Sequence, residues 1–154
     1  MISTTAQYAL RALIRLADEP KGGAVLGRTL AADADIPANY LSKLLLTLRN
    51  AGVVDASRGT GGGYRLLRPA TDIRLIEVVE IFDAPRARPT CLLGQPECSD
   101  AAACMAHDAW KRVRTQYLAF LESTSLADIS KTGAKIAREG KLPPETTSME
   151  VTES

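Results

Sequence analysis

Residues 36–66 read IPANYLSKLLLTLRNAGVVDASRGTGGGYRL and contain two structural patterns in succession. Leucines recur at three- and four-residue spacing, which predicts a helix over about 37–51 with Pro37 at its first position, where a missing N–H costs nothing. The predicted buried face of this helix consists of Leu41, Leu44, Leu45 and Leu48. Residues 53–67 then predict a β-hairpin, because two extended runs flank a glycine-rich tip at 59–63.

Two helical patterns precede this stretch. One covers residues 4–19, with Ser3 or Thr4 as its N-cap, and the other covers 27–34 and ends in a tight turn. Three helices followed by a hairpin are the pattern of a winged helix-turn-helix, which binds DNA through its second paired helix. Similar helix pairs occur in proteins that never bind DNA. The hairpin has glycines at its tip and an arginine on either side of them, Arg58 and Arg65, and this favours a wing. A nucleotide-binding glycine loop is disfavoured, since 64–67 predict a strand and no Gly-Lys-Ser/Thr follows.

The second half of the chain predicts further helices. A helix is expected over 73–83, an irregular loop over 84–100 and a long helix over about 101–123, with one more turn near 126–129. The long helix has little to pack against within one subunit. We therefore expect it to pair with its symmetry mate in a homodimer; the alternative is that it folds back on its own domain.

Composition and charge narrow the class of protein. The chain has 154 residues, of which 45% are hydrophobic and 24% charged, as in an ordinary folded protein. No apolar run approaches the roughly 20 residues of a membrane span, and no signal peptide is recognisable, which predicts a cytoplasmic protein without membrane contact. Lys and Arg outnumber Asp and Glu by nine to five over 1–70, whereas the counts over 71–154 are ten and thirteen. This asymmetry favours a polyanion as the partner of the first half.

All three cysteines and the one histidine lie within 17 residues, in the pattern C-x6-C-x5-C-x2-H from Cys91 through Cys98 and Cys104 to His107. An odd number of thiols in a reducing compartment argues against disulfides. On the predicted long helix, Cys104 and His107 face one point, and the preceding loop can fold over it. These ligand types predict a metal site, and zinc and an iron–sulfur cluster fit them equally well. A catalytic Cys–His pair would not explain three cysteines, so we expect no enzyme activity.

Five segments of the chain resemble the Rrf2 family of winged-helix transcription regulators. They are TTAQYALRAL (4–13), IPANYLSKLL (36–45), LRNAGVV (48–54), RGTGGGYRL (58–66) and the thiol segment with Trp110. The resemblance covers about residues 1–130. It implies a homodimer with crossed long helices, the helix near 37–51 in the major groove of double-stranded DNA, and the wing on the adjacent minor groove. A two-fold dimer would prefer a near-palindromic operator.

The resemblance also implies a cluster ligated by Cys91, Cys98 and Cys104. In the iron–sulfur assembly branch of the family, a histidine placed like His107 completes a 2Fe–2S site, which favours 2Fe–2S over 4Fe–4S here, with zinc as the alternative. Another branch uses an acidic residue of the first helix, where this chain has Gln7, a poor ligand. The gap between the first two cysteines is one residue longer than in the family's commonest pattern.

The expected protein is mainly α, with a winged helix-turn-helix DNA-binding domain at 1–70, a cluster-binding loop and dimerisation helix at 71–130 and a flexible tail at 131–154. We expect a repressor whose operator binding is controlled by the cluster in response to iron or cluster supply, nitric oxide or redox state; the alternative is a repressor with a structural zinc or no metal. The expected DNA contacts are Thr4, Arg28, Ala38, Asn39, Tyr40, Ser42, Lys43, Arg49, Arg58, Gly59, Thr60, Gly61 and Arg65.

Overall fold

The computed structural model describes residues 2–87 and 91–130. The predicted tail at 131–154 lies outside these ranges. Within these ranges the main helices and the hairpin follow in the order α1 (Thr4–Ala17), α2 (Gly27–Ala34), α3 (Ala38–Asn50), β1 (Val54–Ser57), β2 (Gly63–Leu66), α4 (Leu75–Phe82) and α5 (His107–Ser123). This mainly helical architecture with an antiparallel hairpin confirms the predicted winged-helix fold. Within the described ranges, no helix has both the length and the apolarity that crossing a bilayer requires.

The ends of the first three helices follow from their local sequence. The Ser3 hydroxyl caps α1 by accepting the Ala6 N–H at 3.2 Å, and α1 ends two residues earlier than predicted. Helix α2 has the predicted limits and ends where Asp35 takes the left-handed conformation, with φ of 53°. Helix α3 starts one residue later than predicted, because Pro37 is extended and serves as the N-cap.

The leucine face of α3 forms the centre of the hydrophobic core. Its four predicted residues are at most 3% exposed. They belong to one apolar cluster that also contains Leu13 and Leu30 from α1 and α2, Val79 from α4 and Leu121 from α5. Residues 1–70 and 71–130 therefore share a core, in which α4 packs on α1 and α5 packs on α4.

The base of the hairpin is hydrogen-bonded to the segment before α2, within the winged head formed by α1–α3 and the hairpin. Asp55 pairs with Arg65 and Ser57 with Gly63 in an antiparallel register. The Tyr64 N–H and the Val25 N–H each donate to the other residue's carbonyl at 2.8 Å. A Cβ on Gly63 would lie 2.4 Å from the Val25 carbonyl oxygen, at a φ of 140°. Only glycine permits this close approach, which holds the base of the wing against the segment before α2.

Helix α5 is shorter than the sequence suggests, which corrects the predicted span of 101–123. It starts at His107, and residues 101–106 form turns instead of helix. Asp100 folds back and places its carboxylate 2.9 Å from Nε2 of His107. In a continuous helix these residues would be separated by seven positions and about 10 Å of rise, so this contact is incompatible with helix at 101–106. Cys104 was expected on the helix, but it lies in a turn before the helix begins.

The turn predicted near 126–129 is present, as a short helical segment over 126–130.

Candidate nucleic-acid interface and thiol site

The outer face of α3 is polar and accessible. Ala38, Asn39, Ser42, Lys43 and Arg49 are all exposed. The Asn39 side-chain oxygen accepts the Tyr40 N–H at 2.9 Å, which leaves the amide NH2 group of Asn39 to bind an acceptor. The Ser42 hydroxyl donates to the Ala38 carbonyl at 3.0 Å and keeps its lone pairs available. This face presents the donors and acceptors with which a recognition helix contacts base edges.

Tyr40 differs from the rest of this face because its side chain packs against α1. Its hydroxyl hydrogen-bonds the Thr5 hydroxyl, and its ring meets the Tyr8 ring edge-on at 5.5 Å between centroids. The Arg11 guanidinium lies 5.4 Å from the Tyr8 centroid. Tyr40 therefore fixes α3 relative to α1 while 37% of its surface stays exposed. Thr5 and Tyr8 could not be recognised from the sequence as partners of Tyr40, because only the tertiary contact brings them together.

Eight of the nine cations over residues 1–70 fall into two groups. Arg11, Arg15, Arg65 and Arg68 each form a salt bridge, and Arg65 pairs with Asp55 across the hairpin at 3.5 Å. The other group is exposed and forms no salt bridge within 2–87 and 91–130; it consists of Arg28, Lys43, Arg49 and Arg58. We call these four residues the unpaired cations. Their charge is available to an external polyanion.

The tip of the wing is an exposed glycine turn. Residues 58–61, which include Gly59, Thr60 and Gly61, are exposed, and the Gly62 N–H closes the turn on the Gly59 carbonyl at 2.9 Å. Thr4, at the start of α1, is exposed as well. A tip without large side chains brings backbone N–H groups close to a phosphate.

The three thiols converge on Cys91. The Cys91 side chain is buried and hydrogen-bonds the thiols of Cys98 and Cys104. The backbone N–H groups of Gln95 and Leu93 point at its sulfur, and together these contacts lower the pKa of the Cys91 thiol. Backbone donors of this kind stabilise a thiolate, which is the form that ligates metals.

His107 completes this group. Its side chain is buried, and its Nδ1 lies 3.7 Å from the Cys98 sulfur. Its backbone N–H donates to the Cys104 carbonyl at 3.0 Å, which brings Cys104 to the start of α5. Burial raises the pKa of the Cys98 thiol, and the neighbouring Cys91 and Cys104 raise it further. The structure therefore places the imidazole of His107 beside the Cys98 sulfur and the start of α5 beside Cys104, which lies in a turn before the helix.

The donor set fits a thiophilic metal group by its chemistry. Among the described residues, no three His, Cys, Asp or Glu side chains already surround a single ion position. Three sulfurs and an imidazole nitrogen are nevertheless the ligands that iron–sulfur clusters and zinc take up. The residues that would hold such a group are Cys91, Cys98, Cys104 and His107.

Two charged residues beside the thiols were not predicted from the sequence. Asp100 contacts Nε2 of His107 and binds the Lys111 ammonium through both of its oxygens, at 2.7 and 2.9 Å. The hydrogen bond from Lys111 and, to a smaller extent, the contact with His107 lower the pKa of the Asp100 carboxyl. Asp100 in turn raises the pKa of Lys111. A cavity of about 300 Å³ opens beside them, lined by Cys98, Ser99, Asp100, His107, Trp110, Lys111 and Arg114.

Comparison with known sequences gives one consistent family. A profile of the Rrf2 family, described as iron-dependent transcriptional regulators, matches residues 2–132. A putative Rrf2-like regulator of Rhodobacter capsulatus is 36% identical over 146 residues, covering 90% of this chain and 97% of that protein. The regulator IscR of Cereibacter sphaeroides is 36% identical over 134 residues, covering 84% of this chain and 86% of that protein.

Solved structures with the same fold include two regulators. CymR, the global cysteine regulator of B. subtilis, aligns with a TM-score of 0.72 at 29% identity, covering 86% of this chain and 97% of that one. IscR of T. potens aligns with a TM-score of 0.67 at 26% identity, covering 93% and 92%. The similarity extends over both the winged head and the α4–α5 half of the chain.

Proposed function

The chain belongs to the Rrf2 family of transcriptional regulators, and on that premise we propose that it is a homodimeric repressor whose operator affinity is controlled by an iron–sulfur cluster. The cluster ligands are Cys91, Cys98, Cys104 and His107. The convergence of all three thiols on Cys91, next to the buried His107, carries this proposal. The imidazole ligand favours a 2Fe–2S over a 4Fe–4S cluster.

The DNA contacts follow from the polar face of α3 and from the unpaired cations. Asn39, Ser42 and Lys43 enter the major groove, where they meet base edges and adjacent phosphates. Arg58 and the glycine tip contact the backbone or minor groove beside it. Arg65 contributes less than Arg58, since Asp55 neutralises part of its charge. Arg28 and Arg49 add phosphate contacts at the edges of the interface, and Tyr40 holds α3 in position.

The dimer forms through α5. Val113 and Phe120 lie seven positions apart on this helix and are 45% and 52% exposed, so they form an apolar stripe that the described residues of one subunit leave uncovered. Exposed apolar surface of this kind marks a protein–protein contact. Two copies of α5 crossing at this stripe would place two winged heads on successive half-sites of a near-palindromic operator.

A physical connection between the thiols and the head supports control by the cluster. Arg86, on the segment that leads to Cys91, binds Glu122 of α5 at 2.7 Å and also contacts Glu80 of α4. At the end of α4, the Asp83 carboxylate accepts the Ser3 N–H at 2.9 Å, at the start of α1. A shift at the thiols that is transmitted along the chain to Arg86 would therefore act on both α4 and α5, and through α4 on α1. A hundredfold change in operator affinity needs about 2.7 kcal/mol of differential stabilisation.

Anaerobic purification tests the metal. We expect a coloured protein with visible absorption and with acid-labile sulfide in proportion to iron. Cys104→Ser should abolish the colour, whereas Ser99→Ala, in the same loop, should retain it. A colourless protein that carries stoichiometric zinc would refute the cluster and favour a structural zinc.

Operator binding tests the control. Operators selected from random duplexes by the purified protein serve as the probe, and their affinity is measured for the metal-free and cluster-loaded forms at one salt concentration. We expect at least a tenfold difference. Equal affinities would refute the control by the cluster and leave the DNA-binding function intact.

A further inference from the structure

Asp100 is the one charged side chain that reaches the imidazole of His107 from outside the ligand set, within the part of the chain that the structure describes. We infer that Asp100, held in place by Lys111, is the positioning residue of the metal site: it fixes the tautomer and the ring orientation of His107 so that Nδ1 is the ligating atom. This inference rests on the proposed function, since it concerns the same ligand set.

The hydrogen bonds determine the tautomer. An ionised carboxylate only accepts hydrogen bonds, so the 2.9 Å contact between Asp100 and His107 requires the proton to be on Nε2. In the neutral imidazole the opposite ring nitrogen, Nδ1, then carries a lone pair. Nδ1 lies 3.7 Å from the Cys98 sulfur. Nδ1 is therefore the ring nitrogen that would bind a metal held by the thiols.

Lys111 keeps the carboxylate in this position. It follows His107 by four residues on α5, so both side chains project from the same face of the helix. Its ammonium contacts both Asp100 oxygens, at 2.7 and 2.9 Å. Asp100 comes from the loop and bridges the two. A carboxylate on the far nitrogen of a ligating imidazole raises its basicity and holds its orientation, and losing such a partner typically weakens metal binding about 10- to 100-fold.

The tautomer is measurable in the full-length, metal-free protein. The chain has one histidine, so its imidazole gives one pair of nitrogen signals in a long-range proton–nitrogen correlation spectrum. We expect the proton on Nε2 in the wild type and in Asp108→Asn, a matched control that removes a neighbouring carboxylate from the first turn of α5. Asp100→Asn should give a mixture of both tautomers. A proton on Nδ1 in the wild type, or identical spectra for Asp100→Asn and the wild type, would overturn the inference.

Cobalt(II) is the second probe, because thiolate ligation gives it visible absorption. We expect Asp100→Asn to weaken Co(II) binding about 10- to 100-fold and Asp108→Asn to leave it unchanged. In a His107→Ala background, Asp100→Asn should have no further effect, because Asp100 acts through the imidazole. An equal loss with and without His107 would show that Asp100 only stabilises the fold and would overturn the inference.

The two proposals fail in different ways. If the wild-type protein takes up neither Co(II) nor an iron–sulfur cluster, the proposed function is refuted and this inference with it. If the wild type binds both and Asp100→Asn behaves like Asp108→Asn, only the role of Asp100 is refuted. Asp100 and Lys111 have side chains that are 74% and 56% exposed, so their substitution leaves the core intact.

Discussion

Removing two of the unpaired cations should flatten the salt dependence of DNA binding. Lys43 and Arg58 are exposed and form no salt bridge within 2–87 and 91–130. The double variant Lys43→Ala/Arg58→Ala therefore breaks no ion pair among these residues. Each phosphate contact contributes about 0.9 to the slope of log affinity against log salt. A dimer loses four such contacts, which makes the slope shallower by about 3.6 units. The affinity gap between wild type and variant should then shrink roughly 100-fold between about 50 and 200 mM salt.

Fluorescence anisotropy with a labelled duplex of random sequence is the assay, because phosphate contacts do not depend on sequence. Arg112→Ala is the charge control. It removes an exposed cation from α5, away from the proposed DNA contacts of α3 and the wing, and should leave the slope unchanged. A double variant with the wild-type slope would refute the docking of α3 and the wing on DNA. A comparable change in Arg112→Ala would show that net charge, and not position, governs binding.

Three further substitutions test the fold and the dimer. Gly63→Ala should lower the free energy of unfolding in urea by at least about 2 kcal/mol, because its Cβ would lie 2.4 Å from the Val25 carbonyl oxygen. Gly22 has a left-handed φ but open space around it, so Gly22→Ala should cost only about 1 kcal/mol. Equal losses for the two variants would contradict the close approach at Gly63. Glu77→Gln should lower the free energy of unfolding by at most about 1 kcal/mol at pH 7, because glutamine can still accept from the Arg74 N–H and only the carboxylate charge is lost. Burial opposes the ionisation of Glu77, but hydrogen bonds from Arg68 and from the Arg74 N–H lower its pKa below the ordinary 4.5. The stabilisation by the charge is therefore present above that value and is lost as the pH falls through the folded pKa, so variant and wild type should be equally stable to urea in acid. Phe120→Glu should give a monomer in sedimentation velocity, whereas Thr115→Glu, elsewhere on α5, should remain dimeric; a dimeric Phe120→Glu would exclude this stripe as the interface.

The predictions that depended on local sequence agree with the structure. The spacing of the α3 leucines decides which face is buried, since a helix places every third and fourth residue on one side. The glycines at 59–63 permit a tight turn between two strands, so the hairpin follows from them directly. The ends of α1 and α3 were displaced by one or two residues, because a proline or a cap residue can stand just inside or just outside a helix.

The missed features depend on contacts between distant residues. Three alanines at 101–103 favour helix by local propensity, whereas the structure has turns there and a contact between Asp100 and His107 across them. Tyr40 was assigned to the outer face by its position, while its hydroxyl and ring find partners on α1. The sequence likewise supplies a count of cations, but only the fold separates Arg65, which Asp55 neutralises, from Arg58, which stays available.

The location of the thiols explains how a ligand there could move the reading heads without unfolding them. Residues 92–97 and 101–103 are exposed, so a rearrangement of this loop gives up little buried surface. The two ends of the loop, Cys91 and His107, are buried, in contrast to the residues between them. His107 is also the first residue of α5. We propose that a metal that separates the thiols displaces these two ends of the loop. Because α4 and α5 share their core with α3, such a displacement would reach the winged head while the exposed loop changes its shape.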